Sequence, residues 1–224
     1  MEDFKETPWD RQVYGLPTYE LIRPTEENLK RTEQLTGHFT VRVHPLVSKK
    51  LLHRYGFYYC DTLIEPICRS DAFQPIFDSR VSVMHAQTTD HLVQFCLDTF
   101  KYDRFHRDFN LDPEKGDIRY ANWLQSLAAE GRVLTLKFED ISVGFFAYRE
   151  NQILLHAIGQ AFQGQGLGKY LWSAACQMLF SEGYQEIKSS VSAANLAIVN
   201  VYRQLGFSFK HPVDIYHKYR PAQL

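Results

Sequence analysis

The apolar pattern of the sequence predicts a mixed α+β chain, an α/β fold in which strands and helices do not simply alternate. Three features carry that prediction. From residue 81 the patterned segments run strand, helix, helix, then three strands in succession, which a strictly alternating parallel sheet does not do. Strand-period and helix-period segments occur in both halves of the chain. A glycine-rich turn then takes the chain from a strand straight into an amphipathic helix. With 224 residues, 45% hydrophobic and 14% aromatic, the chain can bury a substantial core as one large domain or two small ones.

Two segments are expected, 1–78 and 79–224. In the first, short apolar stretches are broken by Gly15, Pro17, Pro24, Gly37 and Pro45. Phe39-Thr40-Val41-Arg42-Val43 alternates apolar and polar residues and reads as a strand. A short helix is expected over 47–54, with Gly56 just past its end, and Phe57-Tyr58-Tyr59-Cys60 reads as the next strand. Residues 69–77, interrupted by Pro75, read as a connector. In the second segment Val81-Ser82-Val83 opens as a strand. Residues 89–100 read as a helix with Leu92, Phe95, Cys96 and Thr99 on one face. A charged, aromatic loop over 101–108 leads through Pro113 into a helix over 118–129, where Ile118, Ala121, Leu124 and Leu127 or Ala128 recur at helical spacing. Residues 133–138, 143–148 and 153–158 read as strands, the first two joined by a turn at Glu139-Asp140.

Bulk composition removes several function classes. Twenty-five Lys and Arg against 26 Asp and Glu leave a net charge of −1, without the basic excess that phosphate-neutralising proteins carry. No nucleic-acid partner is expected. No apolar run approaches the roughly 18–20 residues that span a bilayer, and the acidic opening Met1-Glu2-Asp3-Phe4-Lys5-Glu6 is unlike a signal peptide. A cytoplasmic protein with no membrane partner is the expectation. Cys60, Cys68, Cys96 and Cys176 form no C-x-x-C pair, so reduced, buried thiols are expected, with neither a disulfide framework nor a bound metal.

The most informative stretch is Ile158-Gly159-Gln160-Ala161-Phe162-Gln163-Gly164-Gln165-Gly166-Leu167-Gly168. Glycines at a strand-to-helix turn let backbone approach a ligand. The first N–H groups of a helix have no internal partner and carry partial positive charge, which suits phosphate. Gly164, Gly166 and Gly168 are each two apart, which does not match the dinucleotide fingerprint G-x-G-x-x-G. Lys169 is followed by Tyr170 rather than Ser or Thr, so the stretch is not a P-loop either. The following helix repeats Leu167, Leu171, Ala174, Ala175, Met178 and Leu179, and Gly183 closes it.

Gln163-Gly164-Gln165-Gly166-Leu167-Gly168 resembles the pyrophosphate loop of the GNAT acyltransferases, written Arg/Gln-x-x-Gly-x-Gly/Ala. Thirty residues on, Asn195-Leu196-Ala197-Ile198-Val199-Asn200-Val201-Tyr202-Arg203-Gln204-Leu205-Gly206-Phe207 resembles the second signature of that family, Asn-(six)-Tyr-(three)-Gly-Phe. The resemblance implies a GNAT fold, a mixed and mostly antiparallel sheet flanked by helices, using acetyl-CoA as acetyl donor. It implies that Gln163, Gly164, Gln165, Gly166, Leu167, Gly168 and Lys169 hold the pyrophosphate, that backbone near Ile158 pairs with the pantetheine arm, and that Asn195 contacts the coenzyme. Tyr202 would lie near the sulfur. A tyrosine hydroxyl there can protonate the departing thiolate, strand N–H groups can stabilise the oxyanion, and juxtaposition of thioester and amine supplies much of the rest. For the proton lost by the amine, His156, Glu150 and a water relay are the candidates.

In such folds the first two helices and their loop form the acceptor wall. Here Arg104, His106 and Arg107 are interleaved with Tyr102 and Phe105, and Trp123 follows one helix on, a set suited to a phosphorylated, ring-bearing acceptor. Arg104-Phe105-His106, Trp123 and the segment Trp9-Asp10 … Tyr14-Gly15 resemble dTDP-fucosamine acetyltransferases. That resemblance implies a nucleotide-linked amino sugar as the small-molecule acceptor, polysaccharide biosynthesis as the setting, and a homodimer. Leu52-His53-Arg54-Tyr55-Gly56-Phe57 mimics Tyr202-Arg203-Gln204-Leu205-Gly206-Phe207 with no glycine loop before it, which suggests that 1–78 is a degenerate, GNAT-like half. Other expected readings are acetylation of another small amine or a protein N-terminus, and a binding module that senses acetyl-CoA without turnover.

Overall fold

The structure is a computed structural model that describes residues 3–97 and 99–222. Met1 and Glu2 of the acidic opening, and Asp98 of the helix expected over 89–100, lie outside the described residues. The chain divides into two units: residues 1–63, 101–119 and 212–224 form unit 1, and residues 64–100 and 120–211 form unit 2.

Unit 1 begins with β1 (Phe4–Glu6), α1 (Pro8–Tyr14), β2 (Thr18–Leu21), α2 (Glu26–Arg31), β3 (Gly37–Val43) and α3 (Lys50–Arg54), and contains the start of β4 (Tyr58–Arg69). β1 is antiparallel to β2 and β2 is parallel to β3. Phe39, Val41 and Val43 share one face of β3 at period two and are buried with Leu21, Leu29, Leu52 and Phe57, which is how a short strand and two short helices hold together. Tyr14, Phe105 and Leu111 form a second buried cluster.

Unit 2 contains β5 (Val81–His85), α4 (Asp90–Val93), a 3₁₀ turn (Gln94–Cys96), most of α5 (Pro113–Ala129), β6 (Val133–Phe138), β7 (Ile141–Arg149), β8 (Gln152–Ile158), a 3₁₀ turn (Gln160–Phe162), α6 (Gly168–Ser181), β9 (Glu186–Lys188), β10 (Val191–Ser192), α7 (Leu196–Gln204) and the start of β11 (Ser208–Arg220). Its strands lie in the order β4, β9, β8, β7, β6, β5. β7 is buried on both faces. Phe145 and Ala147 pack with Leu92, Leu124 and Leu127 on the α5 side, whereas Phe146 and Tyr148 pack with Leu171, Trp172 and Leu179 on the α6 side. Alternation of side chains along one strand thus feeds two helical layers.

The two units repeat one chain order. β2, α2, β3, α3, β4 follow the same sequence of element types as β8, α6, β9, α7, β11 once the 3₁₀ turn and the two-residue β10 are set aside, and in each the first two strands pair in parallel. Both repeats end in helix, glycine with positive φ, phenylalanine, long strand: Gly56 (φ +76) with Phe57 and Gly206 (φ +88) with Phe207. The long strands are reciprocal. The end of β4 pairs with β9 inside unit 2, and the end of β11 pairs with β3 inside unit 1.

The structure departs from expectation in several places. In place of the long helix the chain has one turn of α-helix, Asp90–Val93, and a 3₁₀ turn, Gln94–Cys96, because it becomes extended at Leu97 (φ −72, ψ 130). α5 starts earlier than residue 118, at Pro113, where Asp112 accepts the Glu114 N–H (3.0 Å) and proline suits the first helical position. Ile118, at the helical spacing of the buried Ala121, Leu124 and Leu127, is exposed, and so is Leu196 at the start of α7. β4 continues to Arg69 through Pro66, a residue that argues against a strand on sequence grounds. All four cysteines are buried and free. No described helix is long and apolar enough to cross a membrane.

Candidate active site

The site starts from a strand with one free edge. β8 pairs with β7 from Gly144↔Ile158 onward, and Gly159 N–H donates to Val143 O (2.9 Å). That bond makes Phe145·Ala157 and Ala147·Leu155 the pairs that exchange hydrogen bonds, so the peptide groups of His156 and Ile158 point to the opposite edge. This edge meets β9 only at Gln152↔Lys188. Beyond it the strands part: Ser189 N–H bonds Pro66 O (2.9 Å) and its Oγ bonds Ile153 O (3.1 Å). The far half of the β8 edge therefore has no strand partner among the described residues, and the Gln163 side-chain amide caps the Ile158 carbonyl (2.8 Å).

At the end of that edge lies the glycine loop. Gly164 and Gly166 have φ of +74 and +73, and nothing lies within 4 Å of where a Cβ would sit. Glycine is required there for conformation, not for space. Gly168 is different; its Cβ would meet Val201 Cγ2 at 3.3 Å, so it lets α6 and α7 approach. In α6 the first amide bonds are Tyr170 and Leu171 N–H to Leu167 O (3.0 and 3.1 Å). The six consecutive N–H groups of residues 164–169 donate to no protein acceptor among the described residues. No acidic side chain occupies the first turn of α6. Leu167 is buried and anchors a loop that is otherwise largely exposed. Open amides running from the loop into the first turn of a 14-residue helix have the partial positive charge that suits an anion.

The equivalent turn of unit 1 cannot serve this way. It reads Arg23-Pro24-Thr25-Glu26-Glu27. Proline removes one N–H, Thr25 Oγ1 takes the Asn28 N–H (3.3 Å), and Glu26 and Glu27 place two carboxylates on the first turn of α2.

Asn195 caps α7, its Oδ1 accepting the Ile198 N–H (3.2 Å). From this helix Tyr202 points into the core, fully buried, with its hydroxyl 3.2 Å from His156 Nε2. Its ring packs against Phe207 (centroids 4.7 Å). His156 is half-buried, with the Trp172 ring edge-on to it at 4.8 Å. Burial pushes the His156 pKa down to about 4, so the imidazole is uncharged at neutral pH. Burial pushes the Tyr202 pKa well above the usual phenol range, so the hydroxyl keeps its proton. Glu150 sits in the β7–β8 hairpin with φ +52, exposed and a strand's length from the glycine loop.

The expected acceptor residues are divided between the units. In unit 1 Phe105 is buried and stacked on Tyr14 (6.0 Å), with the Arg104 and Arg119 guanidinium groups 4.5 and 4.0 Å from its ring centroid. His106 is held between Asp103 (2.6 Å) and Asp117 (3.2 Å), and Gly116 lies against its ring. These carboxylates raise its pKa, although burial opposes them. Arg107 bonds the buried Asp61 (2.8 Å) and Arg119 pairs with Asp10. Trp123, in unit 2, is half-buried beside Tyr120. The paired acids Asp61, Asp103 and Asp117 carry no motif at sequence level, and Asp10 shows there only as part of the Trp9-Asp10 segment. The same holds for Trp172, which reads as one more apolar residue of α6.

One group in unit 1 has the donor set for a metal: His38, Asp108 and His217, all buried. Its geometry fits a hydrogen-bond hub instead. Asp108 Oδ2 receives His38 Nε2 (2.9 Å) and His217 Nδ1 (2.7 Å), while Tyr58 hydroxyl (2.8 Å) and Asn110 N–H (2.9 Å) reach Oδ1. Two imidazoles on one oxygen at these distances are hydrogen bonds.

Residues 98–207 match the model of the acetyltransferase (GNAT) family. A search of curated proteins returned no match. Among solved structures, a GCN5-related N-acetyltransferase from Sphaerobacter thermophilus is similar over 98% of this chain and 77% of its own, at 13% identity and TM-score 0.66. A GCN5-related N-acetyltransferase from Kribbella flavida is similar over 94% and 84%, at 14% identity and TM-score 0.58. A tandem GNAT protein from the clavulanic acid biosynthesis pathway is similar over 93% and 77%, at 11% identity and TM-score 0.56. These likenesses carry the fold, and the family match carries residues 98–207. Residues 98–207 carry the match to the GNAT acetyltransferase family, and the mixed α+β fold is the GNAT fold.

Proposed function

We propose that this chain transfers the acetyl group of acetyl-CoA to a primary amine by direct attack in a ternary complex. The observation that carries the reading is the run of six open amides over residues 164–169 at the end of the unpaired β8 edge. In this reading the amides, with Gln163, take the diphosphate, the outward peptide groups of His156 and Ile158 take the pantetheine arm, and Asn195 lies beside the coenzyme. The amine nitrogen attacks the thioester carbon, the C–S bond breaks, Tyr202 gives its proton to the thiolate, and the amine loses a proton to water. His156, uncharged and bonded to Tyr202, serves the tyrosine rather than the amine.

Residues 1–78 are read as a half with GNAT-like order and no cofactor loop, supported by the repeated element order and the Pro24-Thr25-Glu26 turn. The narrower acceptor is the amino group of a nucleotide-linked amino-deoxysugar, with Arg104, His106 and Trp123 as its candidate contacts. Carboxylates already pair with His106, Arg107 and Arg119, which limits the positive charge left for a phosphate. The acceptor panel therefore includes nucleotide-linked amino sugars, free glucosamine, spermidine and peptide amines, read by thiol release from acetyl-CoA.

Acetyl-CoA at about 100 times its Kd is expected to stabilise the protein by about 2.7 kcal/mol, a rise in Tm of roughly 5–10 °C for a chain of this size. No shift at millimolar acetyl-CoA would remove the reading. Gly166→Ala adds a side chain at φ +73, which costs the loop about 1–2 kcal/mol. It is expected to weaken CoA binding by about tenfold or more in calorimetric titration, leaving the rest of the fold intact. Undiminished CoA affinity would mean that the coenzyme does not use this turn.

A further inference from the structure

Trp172 lies in the first turns of α6, and its side chain is 3% exposed. Its indole N–H has no acceptor in hydrogen-bonding geometry among the described residues. Native cores avoid burying a donor in this way, so the unmet N–H calls for an acceptor that the resting protein does not supply. The surroundings name one. The indole stands edge-on to His156, whose Nε2 is 3.2 Å from the Tyr202 hydroxyl. Trp172 and Ser189 are both close enough to the Tyr202 oxygen to favour its ionised form. Ser189 Oγ already donates to Ile153 O, which leaves Trp172 as the uncommitted donor.

We infer that Trp172 is a positioning residue for the acid step, its N–H being taken up by the Tyr202 phenolate when the tyrosine proton goes to the CoA sulfur. The inference rests on Tyr202 being that acid. The Tyr202 O–H bond breaks, an S–H bond forms, and the electron pair stays on the phenolate oxygen. The proton released by the amine to water later returns to that oxygen, so the cycle closes without another reagent. A neutral phenol oxygen is a weak acceptor and a phenolate a strong one, so the Trp172 bond forms as charge develops. An interaction made only in the charged state acts on kcat and not on coenzyme binding.

A double-variant cycle tests this. Trp172→Phe keeps an aromatic ring beside His156 and deletes the N–H. Thiol release from acetyl-CoA is measured with the most active amine of the panel above, in the parent chain and in Tyr202→Phe. The expected result is a fall in kcat of about tenfold in the parent, KM for acetyl-CoA within about twofold, and no further fall in the Tyr202→Phe background. An equal fall in both backgrounds would make Trp172 a packing residue and overturn the inference. Full activity of Tyr202→Phe alone would instead remove the acid role on which the inference stands. Benzothienylalanine at position 172, with sulfur in place of the N–H, repeats the test in the native shape should Phe disturb the fold; unchanged kcat in that protein would also overturn the inference.

Discussion

Tyr202→Phe is expected to lower kcat by about 10²–10⁴-fold, the range a positioned general acid supplies, while acetyl-CoA binds as before. The ring keeps its contact with Phe207, and only the hydroxyl is lost. His156 Nε2 loses its partner, which costs stability of about 1–3 kcal/mol; a melting curve separates that from the kinetic loss. A parallel fall in kcat and kcat/KM marks an interaction made in the transition state alone. The pH profile supplies a second readout. Tyr202 stays protonated across the working range, and His156 titrates at about 4. Activity should therefore rise with pH as the acceptor amine loses its proton, with no inflection from His156 above about pH 5. An inflection near 6.5 that vanishes in His156→Gln would identify the imidazole as a base toward the amine, and unchanged turnover in Tyr202→Phe would place the proton donor elsewhere.

The parts of the molecule that sequence can reach are those where local chemistry and local structure agree. β6 spans Val133–Phe138 as its alternation requires, and α6 begins where the glycines end. Tyr202 stands three residues before Leu205 and four before Gly206, on a helix whose cap, Asn195, is visible as a residue type. Unit 1 resists such reading because β1 and β2 have three and four residues, too short for a period to register, and because its core joins three separate stretches of chain. Phe105 illustrates the limit. In sequence it is an aromatic among charges, suited to touch a ligand; in the fold Tyr14, 91 positions earlier, stacks on it and buries it. Ile118 and Leu196 show the converse, apolar residues at helical spacing that the tertiary arrangement leaves in solvent.

Asp108→Ala is expected to destabilise the protein by about 3–5 kcal/mol at neutral pH, the cost of leaving buried donors without an acceptor at about 1–3 kcal/mol each. His38 and His217 would lose their shared acceptor in a buried place, and the half-buried Tyr58 would lose its own. Asp108→Asn, which keeps an accepting oxygen, should cost less. Urea denaturation of both variants checks the ranking, and a loss under about 1 kcal/mol for Ala would mean that the hub does not hold unit 1 together. The acid limb follows from the same group of residues. Hydrogen bonds from His217 and His38 hold the Asp108 pKa far below its ordinary 3.8 despite burial, so its stabilising contribution is present above about pH 4 and drains as the pH falls further. His217, held at about 3 by burial against 6.5 in the free side chain, gives a slope of the same sign: between pH 6.5 and 3 the unfolded chain binds a proton that the folded chain refuses. His106 acts oppositely, because its raised pKa adds stability below about 6.5 that is lost as the pH climbs through the folded value. The parent protein should thus lose stability steadily from about pH 6 downward. Asp108→Ala should flatten the part of that slope below pH 4, where the Asp108 carboxylate protonates in the unfolded parent and stays ionised in the folded one.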